Sequence, residues 1–128
     1  MPSILIETRE GWIASPEAAI AAVYGAVAEA LKLPAWDRTV RLVEHRASHF
    51  PPPPSRGARF TLVGVTMFPG RSAEAKRALY RGVVAALERL GAPALDVTVT
   101  LVEVAAENWG IRGGQMASEV DLGFKVDV

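Results

Sequence analysis

The sequence predicts an α+β fold in which a tandem β-α-β repeat forms a four-stranded mixed sheet with two helices on one face. Two observations support this prediction. An apolar strand, an amphipathic helix and a second strand follow one another twice along the chain. The two halves also align: Ser15–Ala18 corresponds to Ser72–Ala75 at an offset of 57, and Leu42–Glu44 corresponds to Leu101–Glu103 at an offset of 59.

The length of 128 residues indicates one domain that is large enough to bury a core. We divide it into pseudo-repeats over residues 2–46 and 59–104, a proline-rich connector over 50–57, and a C-terminal segment over 105–128. Four consecutive prolines make the connector incompatible with a helix interior or a central strand.

The first unit is predicted to begin with a strand over Ser3–Glu7. Ser15 as N-cap and Pro16 at the first helical position indicate the start of a helix. Its apolar face comprises Ile20, Val23, Tyr24, Val27 and Leu31. A strand over Arg38–His45 follows, so the two strands should be parallel with a right-handed crossover.

The second unit repeats this order. Phe60–Phe68 is a near-continuous apolar strand, which suits a strand covered on both faces. Ser72 caps a helix that ends at Gly91, and Asp96–Val104 is a further strand. The sheet face away from the helices is expected to be apolar and uncovered, which predicts a homo-oligomer that buries it.

Composition excludes several classes of function. Fourteen acidic and fourteen basic residues give zero net charge, so no nucleic-acid partner is indicated. Cysteine is absent and only His45 and His49 are present, which argues against thiolate chemistry and a histidine-rich metal site. No signal peptide or membrane span is recognised, so the expected compartment is the cytoplasm, with no membrane partner.

Pro2 stands at the head of the first strand. Initiator methionines are usually removed before a small second residue, which would leave Pro2 as a secondary amine. An α-amine titrates near 7.7–8.0, and burial lowers its pKa. A neutral amine in a cleft can act as a general base at neutral pH. Alternatively, Pro2 only suits the first position of a strand, where no N–H is needed.

Four motifs in this order resemble the tautomerase superfamily. They are Pro2 opening a strand, Leu33–Arg38 after the first helix, Gly70–Lys76 before the second, and Val102–Gly110 near the end. The sequence is most similar to the malonate semialdehyde decarboxylase branch and the related single-chain tautomerases. The resemblance runs from Pro2 to about Ala117.

This resemblance implies a role for four residues. Pro2 matches the catalytic amino-terminal proline, and Arg71 matches an arginine that binds the substrate carboxylate and lowers the pKa of the proline. Asp37 matches an aspartate that activates water or polarises the substrate in the decarboxylase branch. Trp109 matches an aromatic residue of the pocket. The resemblance also implies a trimer with sheets facing a central barrel and active sites near the subunit interfaces.

One departure bears on the reaction. The decarboxylase pattern reads Arg-Pro-Arg before the second helix, whereas this chain reads Phe68-Pro69-Gly70-Arg71, with Pro69 in place of the first arginine. The predicted function is therefore a cofactor-free tautomerase that acts on a small 2-oxo or enol carboxylic acid. The alternatives are a decarboxylase or hydratase of a 3-oxo or unsaturated acid, and a non-catalytic oligomeric protein of the same fold.

Each candidate also has a structural interpretation. Arg71 could be a solvated turn residue. Asp37 could only cap the entry to a strand, and Asp96 at the same place in the second unit favours that interpretation. Trp109 could belong to the core or to an interface.

Overall fold

The computed structural model describes residues 2–128, and the predicted removal of Met1 concerns a residue outside that range. The first unit contains β1 (Ser3–Arg9), α1 (Pro16–Leu31) and β2 (Val40–His45). The second contains β3 (Thr61–Met67), α2 (Ala73–Leu90) and β4 (Val97–Glu103). Two short strands follow, β5 (Gly110–Ile111) and β6 (Gln115–Met116).

The four long strands form one mixed sheet in the order β2-β1-β3-β4. β1 and β2 are parallel, as are β3 and β4, while the central pair β1 and β3 is antiparallel. Each β-α-β unit therefore forms one half of the sheet, and the two halves run in opposite directions. The predicted fold class is confirmed.

Both helices begin and end where capping chemistry predicts. The Ser15 hydroxyl accepts the N–H of Ala18 over 3.2 Å, and the Ser72 hydroxyl accepts the N–H of Ala75 over 3.1 Å. Each cap satisfies one of the backbone donors that a helix start leaves unpaired. Gly91 ends α2 at φ 114°, a left-handed conformation that favours glycine.

One apolar core lies between the sheet and the two helices. On α1 the buried residues include Val23, Tyr24, Val27 and Leu31 as predicted, but Ala19 is buried where Ile20 was expected and Ile20 is half-buried. The members from the central strands and α2 are Ile4, Ile6, Val63, Val65, Met67, Leu79, Val83 and Leu87. Burial of these aliphatic side chains is the main source of stability.

The sheet face away from the helices differs from the expectation. β3 alternates strictly between buried and half-buried residues, so it is covered on one face within a single chain. The register places Leu5, Val43, Leu62 and Val102 on the uncovered face together with Ser3, Glu7, Arg9, Arg41, His45, Thr66, Thr98 and Thr100. This face is open but mixed in polarity, because apolar and polar residues alternate between neighbouring strands.

Two further differences concern local structure. β2 begins at Val40 and not at Arg38, whose guanidinium lies 5.0 Å from the centre of the Tyr24 ring. The glycine pair Gly113-Gly114 lies in the turn of the hairpin β5–β6, which the sequence analysis did not predict. None of the helices within residues 2–128 is long and apolar enough to cross a membrane.

Candidate active site

Three of the predicted site residues lie at one end of the sheet. Pro2 is buried and immediately precedes Ser3, which pairs with Thr66 near the end of β3. The chain then continues through Phe68 to Arg71. On the other side of β1, Ile4 donates its N–H to Thr39, two residues after Asp37. The start of β1 is therefore flanked by the segments that carry Asp37 and Arg71.

Asp37 is held by a tight turn beneath α1. Asp37 is only 3% exposed, and its backbone N–H donates to the Pro34 carbonyl over 3.1 Å. The Tyr24 hydroxyl lies 2.6 Å from the Pro34 carbonyl and 2.8 Å from the Asp37 carbonyl. Burial, and next the charge of Asp37, raise the pKa of Tyr24, so this hydroxyl stays protonated and can donate.

Arg71 is buried, and the described residues do not satisfy all of its hydrogen-bond donors. The residue is 6% exposed, and its Nη1 donates to the Phe68 carbonyl over 3.2 Å. Its Nε and Nη2 are buried and have no hydrogen-bond partner among the described residues. Buried donors without partners are costly, and residues 2–128 supply no acceptor for these two donors.

The charge environment of Arg71 follows from its position. Burial lowers the pKa of Arg71, while the nearby carboxylates of Asp37 and then Glu103 oppose that shift. Arginine nevertheless remains a cation at neutral pH. Arg71 also directly precedes Ser72, the N-cap of α2, where the helix dipole favours an anion. These features suit a carboxylate that accepts two N–H bonds from one guanidinium.

Trp109 lies in a small apolar cluster beside this end of the sheet. Its ring centre is 5.1 Å from that of the buried Phe68, and its indole N–H donates to the Val104 carbonyl over 3.0 Å. Ile111 and Ala117 complete the buried part of the cluster. Trp109 therefore packs against the segment that leads to Arg71, while remaining half-buried.

Residues 121–128 cover this region, which the sequence interpretation missed. Phe124 meets Trp36, the neighbour of Asp37, edge to face at 6.1 Å between ring centres. The Ser72 hydroxyl donates to the Val128 carbonyl over 2.9 Å. Half-buried and exposed residues alternate along the segment. That alternation of Leu122, Phe124, Val126 and Val128 with polar or small residues was the available sequence signal.

Other features of residues 2–128 do not supply a competing centre. A groove of about 820 Å³ lies between α1 and α2, lined largely by alanine and glycine, and it includes none of the predicted site residues. Within the described range, no group of three or more His, Asp or Glu residues could hold a metal ion. The chemistry-bearing residues are concentrated at the Pro2 end of the sheet.

This arrangement defines a class of protein: a duplicated β-α-β fold with a buried arginine, two of whose donors lack a partner among the described residues, near the start of the first strand. A family model described as "Tautomerase enzyme" matches residues 37–112. A probable tautomerase of Ralstonia nicotianae is 45% identical over 53 residues, which cover 41% of this chain and 76% of that protein. The 2-hydroxymuconate tautomerase of Comamonas testosteroni is 46% identical over 50 residues, covering 38% and 79%. The chain belongs to the tautomerase family.

Solved structures agree with this assignment over most of the chain. A malonate semialdehyde decarboxylase, described with decarboxylase and hydratase activities, aligns with a TM-score of 0.78 and 27% identity, covering 89% of this chain and 93% of that one. A fused 4-OT solved as a symmetric trimer aligns with a TM-score of 0.80 and 26% identity, covering 90% and 95%. Tautomerase and decarboxylase relatives thus share this fold.

Proposed function

We propose that this chain is a cofactor-free tautomerase that acts on a small 2-oxo or enol carboxylic acid. The observation that carries the proposal is Arg71, a buried guanidinium whose Nε and Nη2 lack a hydrogen-bond partner among the described residues. A substrate carboxylate would fill both positions. Binding it there would hold the reacting carbons at the start of β1, beside Pro2.

In this proposal Pro2 is the general base, with Met1 removed. The enol hydroxyl loses its proton, its electron pair forms the carbonyl, and the adjacent carbon takes up a proton. A neutral proline amine carries the proton between these positions. Burial of Pro2 and the positive charge of Arg71 would both disfavour the protonated amine, so we expect this amine to lose its proton more readily than an ordinary α-amine. Arg71 would also offset the negative charge that develops on oxygen.

A decarboxylase or hydratase of a 3-oxo or unsaturated acid is a second candidate. It is favoured by the buried Asp37, which the charge of Arg71 attracts, and by the similarity to malonate semialdehyde decarboxylase. Asp37 would then activate water or polarise the substrate. Pro69 stands where the decarboxylase pattern has an arginine, so the tautomerase remains the preferred function.

We propose further that the enzyme is a homotrimer. The uncovered sheet face carries Leu5, Val43, Leu62 and Val102, and Val102 is 53% exposed in the single chain. The fused 4-OT of similar fold is a trimer. Packing three such faces around one axis would remove these apolar side chains from water.

A paired assay tests the function. The purified protein is given phenylenolpyruvate, whose ketonisation is followed by absorbance, and separately malonate semialdehyde, whose loss of CO2 is followed in a coupled assay. The proposal predicts faster ketonisation that saturates with substrate and little decarboxylation. Decarboxylation with the higher kcat/KM would instead establish the second candidate.

A further inference from the structure

A salt bridge lies next to the arginine on which the proposed function depends. Lys76 Nζ and Glu103 Oε1 are 3.2 Å apart, and the two side chains are only 29% and 36% exposed. Lys76 is in the first turns of α2, where its backbone N–H donates to the Ser72 carbonyl. Glu103 is the last residue of β4. The bridge therefore joins the start of a helix to the end of a strand.

Glu103 is close to Arg71 through the strand pairing. Glu103 pairs with Met67, and the next residue, Phe68, supplies the carbonyl that holds Arg71 Nη1. Glu103 is also one of the two carboxylates, after Asp37, whose charge acts on Arg71. The charge of the Glu103 carboxylate thus acts on a guanidinium that has two donors without a partner among the described residues.

We propose that Lys76 is a positioning residue that holds the Glu103 carboxylate away from Arg71, so that the two unfilled donors stay available to a substrate carboxylate. The inference rests on the proposed function only in assigning Arg71 to that carboxylate. Glu103 has the same functional group as the substrate end that Arg71 would bind. Being tethered, it would compete at a high effective concentration once Lys76 no longer engages it.

This competition has a distinct kinetic signature. A substrate would first have to displace Glu103, so Lys76→Met should raise KM about ten-fold, the lower end expected for one charge-assisted contact. The kcat value should change less than two-fold, because saturating substrate restores the same complex. Lys76→Arg should behave as the unmodified protein, since arginine also pairs with a carboxylate.

The decisive variant is the double substitution Lys76→Met with Glu103→Gln. Glutamine is uncharged and has only one acceptor oxygen, so it cannot form the bidentate charge-assisted pair with Arg71, and KM should return to within about two-fold of the original value. Arg77→Met is the matched control. It removes a positive charge one residue further along α2, where Arg77 pairs 3.7 Å from the exposed Glu74, and it should leave KM unchanged.

Two measurements separate this inference from the reaction itself. The dissociation constant of 3-phenylpropionate, an unreactive carboxylate, should rise about ten-fold in Lys76→Met and recover in the double variant. A crystal structure of Lys76→Met should show Glu103 on Arg71 at hydrogen-bond distance. If 3-phenylpropionate shows this pattern while no enol acid is turned over, the inference holds and the proposed function fails.

The inference is overturned if Lys76→Met binds 3-phenylpropionate as tightly as Arg77→Met does. It is equally overturned if the double variant keeps the weakened binding, because Lys76 would then act by some route other than Glu103. A Lys76→Met structure in which Glu103 points into solvent would also contradict it.

Discussion

Asp37 and Asp96 occupy equivalent positions in the two β-α-β units, and each donates its backbone N–H to the proline three residues earlier, over 3.1 and 2.9 Å. Their carboxylates face different surroundings. Asp96 Oδ2 accepts the N–H of Gly57 over 3.1 Å, which ties the proline-rich connector to the start of β4. Asp37 instead lies at the opposite end of the sheet, where it attracts Arg71. Duplication thus preserves the turn while the roles of the carboxylates differ.

The first prediction concerns this pair. Asp96→Ala should lower the free energy of unfolding by about 1–3 kcal/mol, because it removes the bond that the buried Asp96 carboxylate accepts from the Gly57 N–H. Asp37→Asn should separate the two candidate reactions: a proton shuttle on Pro2 should mostly survive it, whereas water activation should be lost. Urea titration and the paired assay measure these effects. An Asp96→Ala protein as stable as the original would show that the connector bond contributes nothing.

The second prediction concerns Arg71. Arg71→Ala should weaken transition-state stabilisation, measured by kcat/KM toward phenylenolpyruvate, by about 2–3 kcal/mol, the loss typical of one charge-assisted contact. It should not lower the free energy of unfolding correspondingly, because the substitution also removes buried donors that have no partner among the described residues. Unchanged kcat/KM would reduce Arg71 to a turn residue. Arg77→Ala, which removes an exposed cation from the helix that follows Arg71, is the control.

The third prediction uses pH and Tyr24. The fold raises the pKa of Tyr24, so it favours the protonated hydroxyl. Above the ordinary tyrosine pKa of about 10 the unfolded chain loses this proton first, and stability should therefore fall as pH rises further. Tyr24→Phe should cost about 1 kcal/mol at pH 7 by removing the bonds to Pro34 and Asp37. The stability of the Tyr24→Phe variant should then decline less steeply at alkaline pH than that of the unmodified protein. An equally steep decline would show that Tyr24 does not cause the loss of stability.

The fourth prediction concerns assembly. Sedimentation at micromolar concentration should give three times the chain mass of 13.7 kDa. Val102→Lys places a charge on the uncovered sheet face and should shift the species toward monomer, whereas Tyr80→Lys on α2 should not. Both residues are already exposed in the single chain, so neither change should unfold it. A monomer in the unmodified protein would contradict the trimer.

Much of the fold could be predicted from the sequence because its signals are local. Ser15, Ser72 and Gly91 act through neighbouring backbone groups, and the apolar spacing of α2 needs only the helical period. The polarity of the open sheet face could not be predicted in the same way. It depends on which residues of separate strands come to lie together on one face, as Glu7 and His45 do, with their side chains 3.0 Å apart.

The candidate site was likewise predictable from the sequence only in part. Asp37 and Arg71 could be selected as candidates by resemblance, and both are buried. The contacts that surround them join distant parts of the chain: Lys76 with Glu103, and Trp36 with Phe124. No local pattern encodes these pairs, so the sequence alone did not indicate that Glu103 lies near Arg71 or that Phe124 contacts Trp36.

The chemistry of Pro2 gives a prediction about pH. The rate of phenylenolpyruvate ketonisation should rise as a group with a pKa below the usual amine range loses its proton, and then level off. Pro2→Ala keeps an amine in place and should be slowed without being inactive. A 3-halopropiolate should label residue 2, with loss of activity in proportion to labelling. Labelling elsewhere at full loss of activity would assign the base to another residue.

The amino terminus tests the central claim most directly. Two samples are prepared and verified by intact mass, one with Met1 removed and one with Met1 retained on Pro2, and their kcat/KM values toward phenylenolpyruvate are compared. An amide nitrogen has no basic lone pair, so the sample that retains Met1 should be inactive while the trimmed protein is active. If the sample that retains Met1 turns over the enol acid as fast as the trimmed protein, Pro2 is not the base.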